Sequence, residues 1–140
     1  MSSRRDFVKK TAIVGAGITL APSLTFGSNN KPTKDKLNLA FIGVGLRGTN
    51  HLNNVLLRDD VQVVAICDID ERRNTIALEM IAKVGQKEPQ VFGKDDFDYR
   101  NMLKLSEIDA VIISTPWLWH TRMAKDSMRA GKYTAVEVSA

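Results

Sequence analysis

The segment Gly43-Val44-Gly45-Leu46-Arg47-Gly48 constrains this chain more than any other stretch. Three glycines at that spacing suit a sharp turn from a buried strand into a helix. Residues 37–44, Leu-Asn-Leu-Ala-Phe-Ile-Gly-Val, are nearly all apolar, as a strand covered on both faces requires. Arg47 to Leu57 reads as a helix with Leu52, Val55 and Leu56 on one face. In such a turn Gly43 permits the reversal, Gly45 lets the backbone come close to a bound group, and Gly48 lets the helix pack against the strand. The N–H groups at the helix start are then free to hold phosphate oxygens.

The same alternation continues down the chain. Val61 to Cys67 is a second buried strand, Asp70 to Val84 a helix closed by Gly85, and Gln90 to Phe92 a short third strand. Phe97 to Leu105 reads as a short helix with Asp95 or Asp96 available as its cap. Ala110 to Ser114 is a fourth strand stopped by Pro116, Trp117 to Ala130 a helix closed by Gly131, and Lys132 to Val138 a fifth strand. Buried strands joined by helices imply a parallel sheet, and right-handed crossovers make it doubly wound. The fold class is therefore α/β, a Rossmann-type nucleotide-binding domain over residues 37–140.

Asp68 stands at the tip of the second strand, twenty residues beyond Gly48. A carboxylate there accepts hydrogen bonds from ribose hydroxyls and repels a 2′-phosphate, so the expected cofactor is NAD in preference to NADP. Arg72 and Arg73 lie near enough in sequence to soften that preference. Arg47 either faces the pyrophosphate or is solvated at the helix start. An earlier Gly15-Ala16-Gly17 lacks the following helix and the later acid, and is set aside.

Residues 1–36 read differently. Ser3-Arg4-Arg5-Asp6-Phe7-Val8-Lys9 fits a twin-arginine export signal, followed by a small-residue apolar stretch from Thr11 to Ala21 and a polar run to Lys36. The apolar stretch falls short of the roughly 20 residues a membrane span needs. The expected location is periplasmic, with the twin-arginine export machinery as a partner. Of the net charge of +4, most comes from Arg4, Arg5, Lys9 and Lys10 against Asp6. The remainder is close to balance, so no nucleic acid partner is expected. The lone cysteine, Cys67, sits in an apolar run and reads as core, and no metal site is expected. Met80, Met102, Met123 and Met128 also read as core, and His51 as a surface residue.

Asp109-Ala110-Val111-Ile112-Ile113-Ser114-Thr115-Pro116, then His120, Ala130-Gly131-Lys132 and Glu137, resembles the Gfo/Idh/MocA oxidoreductases. Thr115-Pro116-Trp117-Leu118-Trp119-His120 with Glu137-Val138 is most similar to the branch classified as glycoside hydrolase family 109. The resemblance runs from Leu37 nearly to Ala140. It implies a sugar or glycoside substrate and a redox cycle on NAD: oxidation, elimination, water addition and re-reduction, with an α-N-acetylgalactosaminide bond broken. This route does without the usual carboxylate pair. The cofactor-binding residues it implies, with those of the loop, are Gly43, Gly45, Leu46, Arg47, Gly48, Asp68, Thr115, Pro116, Trp117, His120 and Glu137.

Two departures stand out. The usual oxidoreductase has lysine after the glutamate, where this chain has Val138, and Ser139 stands where proline is expected. The resemblance also implies a second α/β domain beyond residue 140, supplying most of the substrate site and the catalytic residues. On that reading the chain is a fragment, inactive and aggregation-prone alone. A plain sugar or polyol oxidoreductase and a non-catalytic nucleotide-binding module are the competing readings, and a homo-oligomer is left open. His120 either orients nicotinamide or substrate, or satisfies the loop around Pro116. Trp117 and Trp119 follow a strand's carboxyl end, where one could stack on a ligand while the other packs between helix and sheet.

Overall fold

The computed structural model describes residues 36–138. The expected export signal, together with Ser139 and Ala140, lies outside them. Among the described residues, five strands and four helices alternate: β1 (Leu37–Ile42), α1 (Leu46–Leu56), β2 (Val61–Cys67), α2 (Glu71–Lys83), β3 (Gln90–Phe92), α3 (Tyr99–Met102), β4 (Ala110–Ile113), α4 (Trp117–Arg129) and β5 (Tyr133–Val136). The sheet order is β3-β2-β1-β4-β5 and every pairing is parallel. The order reverses at β1, which opens a crevice at the carboxyl ends of β1 and β4.

The apolar runs are continuous because both faces of the sheet are covered. Phe41, Val63 and Ile66 point to one side, where Leu52 and Leu56 of α1 and Ala77 and Ile81 of α2 enclose them. Ala40, Ile42, Ala65, Cys67, Val111 and Ile113 point to the other, beneath Tyr99 and Met102 of α3 and Met123 of α4. Leu39 pairs with Val63 but Ala40 pairs with Ala65, so β2 carries one extra residue at this point. That irregularity turns Val63 and Ala65, two positions apart, to opposite faces. Cys67 is buried as expected, and burial, reinforced by the charges of Asp98, Asp68 and Asp95, pushes its thiol up to about 12.

Three local expectations are corrected. The helix after β3 is a single turn, flanked by tight i to i−3 bonds such as Arg100 N to Phe97 O and Leu105 N to Met102 O. Met128 is exposed, since it falls on the outer face of α4. β5 begins one residue later than expected and ends two earlier. Lys132 turns its ammonium onto the carbonyls of Leu105 (2.7 Å) and Ile108 (3.0 Å) instead, satisfying the loop that leads into β4. β5 itself is open along most of its length, with Tyr133 80% exposed.

Candidate functional site

The glycine turn divides its work among its glycines. Gly43 has φ +86°, a left-handed conformation that side chains resist, and a Cβ there would press on the Ser114 carbonyl at 2.9 Å. A Cβ on Gly48 would run into the carbonyl oxygen of Gly43. These two glycines are needed by the protein itself. A Cβ on Gly45 would meet nothing within 4 Å, so that glycine keeps open the space in front of the helix. Gly45 is also the N-cap of α1, it makes no side-chain capping bond, and no acidic residue stands in the first turn. The first N–H groups of α1 thus face the crevice without a capping side chain, as an anion site requires.

Asp68 is held from several sides. Its Oδ2 accepts Val44 N–H at 2.9 Å, which ties the acid to the glycine turn, and its Oδ1 accepts Asp70 N–H at 2.9 Å. Asn74 donates to its carbonyl at 2.8 Å, and a Cβ on Gly93 would strike that same carbonyl. Each carboxylate oxygen carries one backbone donor and keeps acceptor capacity for a ribose hydroxyl. Arg72 does not soften the charge at this point: its guanidinium is paired with Asp70 at 2.9 Å.

On the other side of the turn lie the ends of β4 and β5. Ser114 Oγ is buried under the glycine turn and has no hydrogen-bond partner. Thr115 and Pro116 lead into α4, and His120 Nε2 meets the Thr115 carbonyl at 2.7 Å, so the histidine satisfies its own loop. Trp117 is 67% exposed at the first position of α4, whereas Trp119 packs on the core and edge-on against Phe97. Trp119 packs inward, as expected of one of the two tryptophans, and Trp117 stands exposed. Val138 is exposed beside Glu137.

Glu137, only 14% exposed at its side chain, accepts Arg47 Nε at 2.9 Å and Arg47 Nη2 at 2.6 Å on Oε1. The same oxygen faces His51 Nε2 at 2.9 Å. The His51 and Arg47 contacts, with the Val138 N–H, hold its carboxyl at about 2. Arg47 therefore points to Glu137, and His51 is more than a surface residue. Arg47 and His51 are four apart on α1, so they share a face. That spacing, an arginine and a histidine on one helix face beside a glycine turn, was the readable signal for His51. Asn74 and Gly93 had none, because their importance depends on how β3 packs beside β2.

An all-parallel sheet with a glycine turn, an uncapped helix start and an acid at the end of β2 defines a dinucleotide-binding domain. The family model for oxidoreductases with an NAD-binding Rossmann fold, GFO_IDH_MocA, matches residues 37–138. The chain belongs to the Gfo/Idh/MocA family, and NAD is its cofactor. It is 38% identical to a glycosyl hydrolase family 109 protein of Parabacteroides distasonis over 99% of this chain and 33% of that one. It is 36% identical to an alpha-N-acetylgalactosaminidase of Shewanella oneidensis over 96% of this chain and 33% of that one. The chain thus spans about a third of the length of these curated relatives. Among solved structures it is similar to apo scyllo-inositol dehydrogenase from Lactobacillus casei, at TM-score 0.62 and 21% identity over 76% of this chain and 29% of that one. A probable dehydrogenase from Thermotoga maritima has TM-score 0.57 and 28% identity over 71% of this chain and 27% of that one.

Proposed function

We propose that this domain serves an exported enzyme that acts on a sugar by hydride transfer, and that the reaction is glycoside cleavage through a redox cycle. A bound NAD would supply the hydride acceptor and donor that such chemistry at the sugar ring needs. The chain's own part is to hold that cofactor: the start of α1 for the diphosphate, Asp68 for the adenosine ribose. The observation that carries the glycosidase reading is Val138. It follows Glu137 at the end of β5, where the dehydrogenase pattern has a lysine, and it cannot move a proton to or from a sugar hydroxyl. The similarity to an alpha-N-acetylgalactosaminidase supports an N-acetylgalactosaminide as substrate.

The test is stoichiometry in the whole protein. A redox-cycling glycosidase releases nitrophenol from nitrophenyl N-acetylgalactosaminide with catalytic NAD and no accumulation of NADH. The likeness in fold to inositol dehydrogenases favours a second reading, a sugar or polyol oxidoreductase, and NADH formed in proportion to sugar consumed would establish it.

The export reading rests on residues 3–9. Replacing Arg4 and Arg5 by lysine is expected to keep the protein in the cytoplasm. Periplasmic recovery of that variant at wild-type level would argue against a twin-arginine route.

A further inference from the structure

A dinucleotide laid across this crevice has two ends, and the structure prepares both. Asp68 marks the β2 side. On the opposite side, Glu137 N donates to the Ile113 carbonyl at 2.9 Å, which fixes Glu137 at the carboxyl end of the β4–β5 pair. Its side chain reaches Arg47 and His51 on α1, although β4 lies between β1 and β5 in the sheet. The contact therefore bridges the end of β4, over the half of the crevice that Asp68 does not occupy.

The arrangement within the bridge is unequal. Arg47 and His51 both meet Oε1, while Oε2 accepts only the N–H of Val138, at 2.9 Å. Oε2 keeps an acceptor lone pair on a carboxylate whose direction is fixed. Arg47 also offsets a negative charge that would otherwise oppose the diphosphate at the start of α1. We propose that His51 is a positioning residue for the second nucleoside of the dinucleotide. With Arg47 it aims Glu137 so that Oε2 takes a hydroxyl of the nicotinamide ribose. This rests on NAD occupying the crevice and is independent of which sugar reaction follows.

The experiment compares NAD with ADP, which carries the adenosine and diphosphate but not the second nucleoside. Both are titrated calorimetrically into the full chain and its variants. His51→Ala is expected to weaken NAD about tenfold, the loss of one aligned hydrogen bond to a charged group, and to leave ADP unchanged. His51→Gln, which keeps a donor on a side chain of similar reach, is expected to restore most of the NAD affinity. Asp68→Ala should weaken both ligands, so a fault in the crevice is told apart from a fault in the bridge. NAD affinity unaffected by His51→Ala, or ADP weakening in step with NAD, overturns the proposal.

Discussion

The turn from β1 into α1 and the turn from β2 into α2 sit side by side at the same end of the sheet, and they are finished in opposite ways. At the second, Asp70 caps α2 by accepting Arg72 N–H at 3.0 Å, and Glu71 lies in the first turn. The turn after β3 is also closed internally, with Asp98 accepting Gly93 N–H at 2.8 Å and Lys94 N–H at 3.0 Å. At the first turn the cap is a bare glycine and the first helical turn has no acid. A helix start left without a cap costs stability that a neighbouring turn shows this chain can easily recover. The omission is local and falls at the reversal point of the sheet, so it identifies the ligand's seat better than the glycine count does.

The contrast can be broken most severely from inside the open turn. Gly48→Ala sets a methyl group against the Gly43 carbonyl, and α1 must move off the sheet. We expect a loss of about 3 kcal/mol in chemical denaturation, at the upper end for overpacking. An unchanged midpoint would mean that α1 has room to shift.

The closed turn after β3 responds to acid. The N–H of Gly93, then Asn101 and the N–H of Lys94, hold the buried Asp98 carboxyl at about 2, against an ordinary value of about 3.9. A depressed carboxylate contributes its stability above the unfolded value and loses it as pH falls through the folded one. Asp98 should therefore contribute on the order of 2 kcal/mol above pH about 4, lost by pH about 2. Asp98→Asn is expected to be less stable at neutral pH and to show a shallower loss across that window. A wild-type slope in the variant would assign the acid sensitivity elsewhere. At the turn after β2, Asp70→Ala removes a single cap and should cost about 1 kcal/mol, with NAD affinity unchanged.

Much of this was legible in the sequence because it depends on local pattern. Continuous apolar runs gave five parallel strands, and the glycine spacing with Asp68 gave the cofactor. What escaped depends on tertiary approach. Gly93 matters only because β3 brings it against the Asp68 carbonyl, and Asp98 because its side chain turns back to Gly93 and Lys94 instead of capping the helix ahead. Glu137 was named as a ligand-facing residue from its motif, but its partners on α1 lie 86 and 90 residues away. No spacing rule connects groups that far apart. Arg47 likewise offered two readings, phosphate or solvent, and the fold supplies a third, an ion pair.

The sharpest form of the comparison is to give the open turn the cap its neighbours have. Gly45 lies in the extended conformation that N-cap residues adopt, φ −68° and ψ −155°, and a Cβ there meets nothing within 4 Å. Gly45→Asp should therefore be accepted by the fold. Its carboxylate can take an N–H of the first turn and oppose the helix dipole, adding a few tenths to about 1 kcal/mol of stability. The same carboxylate would occupy the seat of the diphosphate and repel it, so NAD binding should be abolished while the melting temperature holds or rises. Stability and binding moving in opposite directions is what a turn kept open for a ligand predicts. If stability falls, the glycine is there for the backbone, and the open end of α1 loses its meaning as a phosphate seat.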